Sequence, residues 1–313
     1  MQVFGAQRIA PEKIRRALGV KEGDPIPPSK ASLEERVEQL DGILRASIEA
    51  VCCEESRAIL YVGVEERGGE RFEYREPPNG EIRLPEGVVA EWARFLDALA
   101  EAARQGEVAE DISRGHAFSQ NLQVRQSQLQ FVEFAAQHFE LLREVLHHSS
   151  DEQQRAIAAY ILGYSDKKKD VVNDLQAAMR DPDVTVRNHA MRALTALAVF
   201  AQQHPESEIR VPVTWFVEML HSIHFTDRNK ATLALLTLTE TREARILDHI
   251  RERALAPLLE MAQWRVLEHA FPAFLLLGRV AGLPEEEIHD LWKKGARGEL
   301  VARLSKDSGK RKK

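Results

Sequence analysis

The sequence predicts a mainly α-helical protein: a stack of antiparallel helix pairs, a solenoid, preceded by a small α/β domain of order β-α-α-β-β. Three observations predict it. A similar segment recurs four times in the second half of the chain, anchored at Ala156, Ala190, Ala231 and Ala270, and recurrence at a near-fixed period marks a repeat architecture. Everything after Gly87 is helical in pattern, with apolar residues recurring at the spacing of one helix face. Residues 1–67 instead mix helical spacing with short apolar runs bounded by turn residues. At 313 residues the chain exceeds what one ordinary core grows to, so two or three units are expected.

The elements follow in order. Residues 2–9 read as a short strand. Pro11 suits the first turn of a helix, Ile14, Ala17 and Leu18 form its stripe, and Gly19 offers a stop. Ser32 followed by Glu35 has the capping-box spacing for a second helix, with Leu33, Val37, Leu40 and Leu44 on one face. Residues 47–53 and 58–64 then read as two strands joined by a polar turn. From Glu65 to Asp111 the composition shifts to thirteen acidic residues against six arginines. Asn79-Gly80 predicts a small hairpin between residues 72–75 and 81–84. Two amphipathic helices follow, one carried by Val88, Trp92, Phe95 and Leu99 and the other by Leu129, Val132, Phe139 and Leu146. The expected division is therefore 1–67 for the α/β domain, 68–87 for a linker, 88–304 for the helical stack with a capping helix from about Gly282, and 305–313 for a basic disordered tail.

The strand-helix-helix-strand-strand order resembles a polypeptide-transport-associated (POTRA) domain. The resemblance is carried by Ala10-Pro-Glu-Lys-Ile-Arg15, Leu18-Gly-Val-Lys-Glu-Gly-Asp24 and the closing strand Arg57–Glu66, over about residues 2 to 67. There is one copy, and no membrane barrel follows it. In the second half, Val171 to Arg187 places a helix, an Asp181-Pro182-Asp183 turn and a Val-Arg opening of the next helix. This resembles a HEAT repeat. Together the two likenesses point to a bacterial HEAT-repeat protein. The HEAT resemblance implies that the turn residues Asp181, Asp183, Arg187, Asp227 and Arg228 form a structural ladder between neighbouring turns and cap helix starts. HEAT-like stacks also occur in phycobilin lyases and alkylpurine DNA glycosylases, but the repeat itself carries no lyase residue, and the basic face of the glycosylases is missing.

Composition removes several function classes. At 44% hydrophobic and 29% charged the chain is not disordered, and a net charge of −6 opposes a dedicated nucleic-acid binder. Two cysteines make neither a disulfide framework nor a four-cysteine zinc site, and Cys52 and Cys53 have no histidine at a nucleophile spacing. Glu218, His221 and His224 fall at i, i+3 and i+6 on an expected helix, whereas a helical zinc pair uses i, i+4, so no metal and no cofactor are expected. The loop Glu110-Asp-Ile-Ser-Arg-Gly-His116 is the most unusual. One reading has Asp111 orienting His116 with Ser113 as nucleophile; the other has a connector turned by Gly115, without the elbow or oxyanion signal an enzyme would carry.

The function expected is therefore a non-enzymatic scaffold for protein partners, using the concave face of the stack and the edge of the α/β sheet. The alternative is an enzyme or nucleic-acid-acting solenoid with its chemistry at Asp111 and His116. No apolar run reaches the roughly 18 residues that span a bilayer. Met1 to Ala10 shows no signal peptide, which fits either a cytoplasmic protein or a chain beginning after signal removal. The POTRA resemblance tips that expectation slightly toward a periplasmic, processed chain.

Overall fold

The computed structural model describes residues 1–54 and 57–311, with side chains for all of these except 52–54 and 307–311. The Cys52 and Cys53 side chains and those of the basic residues 310–313 thus lie outside the described residues.

The chain opens with β1 (Gln2–Phe4), α1 (Pro11–Leu18), α2 (Lys30–Glu38), β2 (Ile43–Glu54) and β3 (Arg57–Glu66). Pro11 starts α1, and Gly19 ends it in the left-handed region at φ 68°. The cap of α2 is Ser29, whose hydroxyl accepts from the Ser32 N–H, so the expected cap at Ser32 lies one turn inside the helix. The sheet order is β1-β3-β2, with β1 parallel and β2 antiparallel to β3. Ile14, Leu18, Leu33 and Val37 cover one face by packing on Val3, Ile48, Val62 and Val64.

The middle of the chain contains α3 (Glu86–Arg104), β4 (Glu110–Asp111), β5 (Phe118–Ser119), α4 (Leu122–Gln137), α5 (Phe139–His148), α6 (Glu152–Leu162), α7 (Lys168–Ala178) and α8 (Val184–Gln203). The helix expected across residues 129–146 is two helices, broken at His138 (φ −117°, ψ 23°). The hairpin expected at 72–84 does not form. Its backbone bonds go to helix ends instead: Arg75 N–H to the Arg180 carbonyl at 2.7 Å, Gly80 N–H to that of His148 at 2.8 Å, and Leu84 N–H to Gln154 Oε1 at 2.7 Å. From Glu73 on, the supposed linker is a strap hydrogen-bonded to the repeats at these points.

The rest comprises α9 (Thr214–Met219), α10 (Phe225–Leu238), α11 (Ala244–Arg253), α12 (Leu255–Met261), α13 (Leu267–Val280), α14 (Glu285–Lys293) and α15 (Arg297–Arg311). Helix α15 runs past residue 305, where a disordered tail was expected. No helix among the described residues is long and apolar enough to cross a membrane.

The chain forms two compact units: Met1–Phe72 together with Phe216–Lys313, and Glu73–Trp215. The expected boundaries at 67 and 88 do not anticipate this. The sheet shares its unit with the last third of the chain, and of the four repeat copies those at Arg228 and Leu267 lie with it. The physical reason is visible in β3, buried without alternation from Tyr61 to Glu66. A strand buried on both faces needs a second cover, and α10, α12 and α13 with the turns before them supply it. Tyr61 stacks on Phe225 with ring centroids 3.9 Å apart, and both rings pack on the fully buried Trp264. Gly63 is glycine because a Cβ there would overlap the Ile223 carbonyl oxygen.

Candidate functional site

The repeat turns share one arginine device. In the Glu73–Trp215 unit, Arg155 Nη1 donates to the carbonyls of Ser149 and Ser150 at 2.9 and 3.2 Å. Arg187 Nη1 donates to those of Asp181 and Pro182 at 2.8 and 2.9 Å. In the other unit Arg228 Nε donates to the Ser222 carbonyl at 2.7 Å. Each arginine thus reaches back six residues to the turn that opens its own helix. The residue reached also accepts, through its side-chain oxygen, the N–H two positions on: Asp151 to Ser149 Oγ, Asp183 to Asp181 Oδ1 and His224 to Ser222 Oγ. Asp151 and Asp183 then cap α6 and α8 by accepting two N–H bonds each.

This geometry corrects the register of the first copy. Arg155, not Gln153, occupies the place of Arg187 and Arg228, so the alanine matching Ala190 and Ala231 is Ala158 rather than Ala156. Alanine cannot set the phase in a segment that holds Ala156, Ala158 and Ala159, all buried. A side chain with a specific pair of carbonyls can.

Asp181 joins one turn to the next. Its fully buried carboxylate accepts Arg155 through both Nε and Nη2 at 2.9 Å, together with Arg75 Nη2 and the Asp183 N–H. Burial alone would raise its pKa, but these donors outweigh it and hold the group below the ordinary value. The Arg187 guanidinium lies 4.5 Å over the Tyr74 ring, which ties the strap to the same ladder. Asp227 accepts from Ser222 Oγ at 2.6 Å, and Arg228 pairs with Glu260 at 3.0 Å. Glu260 in turn receives the Gly5 N–H at 2.9 Å, so here the device reaches the sheet.

Glu218, His221 and His224 do not share a helix. Glu218 lies on α9 and pairs with Arg253, His221 Nε2 bonds the Arg253 carbonyl at 2.7 Å, and His224 bonds Ser47 Oγ at 3.0 Å. Among the described residues no group of three or more His, Cys, Asp or Glu is placed to hold a metal.

The 110–116 loop is the tip of a two-stranded hairpin, β4 against β5, with Gly115 at φ 78°. Asp111 Oδ1 accepts the Ser113 N–H at 2.9 Å, which makes it a local turn residue. His116 stacks on Tyr164 at 5.4 Å, and its Nδ1 is buried without a partner. Burial first, then the charges of Lys168 and Arg114, push its pKa down to about 4. The loop does border a cavity of about 670 Å³ in this unit, with Ser113, Arg114, Lys167, Lys168 and Phe200 in its wall. Sequence reading marked the loop but missed the lysines at 167–169, which sit some fifty residues away and show only as a charge run at a helix start.

A family model of HEAT repeats matches residues 139–211, the stretch that holds α5 to α8. No curated protein matches the chain. The match and the helical architecture support a HEAT-like helical repeat protein with a small N-terminal sheet.

Proposed function

We propose that this protein is a non-enzymatic adaptor that holds protein partners, with its repeat helices as one binding face and the edge of a bacterial POTRA-like sheet as another. HEAT repeats generally mediate protein–protein interaction, which supports the first part. The geometry of the sheet sharpens the second. The outer edge of β2 is closed over part of its length, because the Ala46 and Ile48 N–H groups are taken by Glu38 and Glu34 of α2 at 2.9 and 2.8 Å. The other edge is open. Strand β1 pairs only with Tyr61, Val62 and Gly63, so among the described residues no strand pairs with 57–60 on that side. Since Ala46 and Ile48 point away from β3, alternation directs the backbone groups of Ala58 and Leu60 toward the β1 side. They face a groove of about 660 Å³ walled by residues 20–27 and Arg265.

That open edge is the observation that carries the reading: an extended segment of a partner would continue the line of β1 and satisfy the backbone groups of Ala58 and the Leu60 N–H, the Leu60 carbonyl being engaged by Gln2 in the β1 pairing. Crosslinking mass spectrometry in native cells identifies the partner, and Ala58→Pro tests the edge. Proline removes an N–H directed away from β2, so the sheet keeps its existing ladder. Loss of crosslinks to residues 20–27 and 57–60 with unchanged melting is expected. Unchanged crosslinks in the variant would remove the edge from the account.

A further inference from the structure

The cavity beside the 110–116 loop has the chemistry of an anion site. Its cations come from two separate segments: Arg114 from the β4–β5 loop and Lys167, Lys168 and Lys169 from the start of α7. Lys169 is engaged by Glu208 at 3.0 Å. The other three have no carboxylate partner among the described residues. Lys167 lies 4.2 Å over the Phe139 ring, and Arg114 is exposed. Lys168 is half-buried, with Nζ on the Ser165 carbonyl at 3.3 Å and 5.4 Å over the Phe200 ring. Two aspartates, Asp166 and Asp170, also line the cavity; they are exposed like Arg114, Lys167 and Lys169, so water screens both signs alike and the lining keeps four cations against two carboxylates.

The hairpin tip is shaped around this lysine. A Cβ on Gly115 would fall 2.8 Å from Lys168 Cε and 3.2 Å from Phe200 Cβ, so the lysine stem and the ring pack directly against the bare glycine backbone. The neighbouring imidazole lies in the same field: after burial, Lys168 and Arg114 disfavour the charged form of His116, against a smaller opposing pull from Asp111. Burial disfavours the charged form of Lys168, and the exposed Asp166 offsets this only in part; a bound anion offsets the rest. An arginine and several lysines in one cavity wall suit the three oxygens of a phosphate better than the two of a carboxylate.

We infer that this cavity binds a phosphate monoester, either free or carried on a side chain of a protein partner. The protein-borne case rests on the adaptor reading above; the cavity and its ligand class do not. Neither case requires turnover, since His116 and Asp111 form no relay.

The test is calorimetric titration of the full chain with O-phosphoserine, a phosphoserine peptide, the same peptide unphosphorylated, glutarate and a ten-residue oligothymidylate. Saturable binding of the phosphorylated probes is expected, at least tenfold tighter than glutarate. A tenfold or greater loss is expected in Lys168→Met and Arg114→Ala. Methionine keeps the stem packed on Gly115 and Phe200, and unchanged melting of both variants shows that the fold is retained. Nuclear magnetic resonance titration of His116 gives an independent readout: its pKa should rise when the cavity is saturated with O-phosphoserine. A peptide that binds more tightly than free O-phosphoserine assigns the protein-borne source, and equal affinity assigns the small molecule. No saturable phosphate binding, equal binding of glutarate, preference for the oligonucleotide, or undiminished affinity in both variants would overturn the inference.

Discussion

In the unit of residues 73–215 the carboxylate that receives a repeat arginine is Asp181, whose side chain is 0% exposed and whose donors all belong to the repeats and their strap. In the other unit it is Glu260, whose side chain is 28% exposed and which divides its oxygens between Arg228 and the backbone of Gly5 in the sheet. The arginine and its reach to the turn six residues back are the same. What differs is the work of the acid: one closes repeat on repeat, while the other fastens a β-sheet onto repeat helices. The same geometry at the two turns thus accommodates different carboxylate partners, and that partner decides what the helix pair packs against.

The largest break in this comparison is Asp181→Ala. It leaves the buried Arg155 and the part-buried Arg75 without their carboxylate, a loss of about 3–5 kcal/mol. Hydrogen exchange should accelerate across residues 139–203 while residues 43–66 keep their protection. Acidity acts on the same group. Its folded pKa is lowered, so its contribution is present above the unfolded value of about 3.9 and is lost as pH falls through the folded one. Melting curves followed from pH 6 to pH 2 should show that loss, and Asp181→Asn should flatten it.

Gly63→Ala is the counterpart in the other unit. The added methyl must displace the Ile223 carbonyl or the sheet, at a cost of typically ~1–3 kcal/mol. Faster exchange is expected in residues 57–66 and 223–238 but not in α6 to α8. Ala190→Leu overpacks a fully buried contact on α8 by a similar ~1–3 kcal/mol, confined to the 73–215 unit. Should that variant melt with the parent, the site has room and the repeat register needs revision. The smallest effect is expected from Arg253→Ala. Its bonds to Glu218 are well formed at 2.9 Å, but half of the arginine side chain is exposed, so chemical denaturation should register only about 0.2–1 kcal/mol.

Much of this was legible in the residues, and what was not has specific causes. Helix periodicity, the Asp-Pro-Asp turn and the β-α-α-β-β order all have local signatures. The register of the first repeat does not: Gln-Gln-Arg-Ala-Ile-Ala-Ala fits two phases by alanine, and only the carbonyls that Arg155 reaches distinguish them. The hairpin at 72–84 failed because the Asn-Gly signal is local, whereas those backbone groups find partners on helices seventy to a hundred residues later. The two-unit division was hidden for a related reason. Ala58-Ile-Leu-Tyr-Val-Gly-Val64 is as apolar as a strand buried on both faces, but nothing local says that the second cover arrives some 160 residues downstream. At the candidate site, the loop stood out by composition, while Lys168 is recognisable only once Gly115 and Phe200 enclose it.

Native-state hydrogen exchange of the full chain over a denaturant series tests the central claim most directly. The account predicts that β3 (residues 57–66) and α13 (residues 267–280) lose protection together, with one free energy and one denaturant dependence. Helix α8 (residues 184–203) should open in a separate transition. If β3 instead opens independently of α13, with α8 and α13 opening as one, the division at residue 67 expected from the sequence holds, and the two-unit account is contradicted.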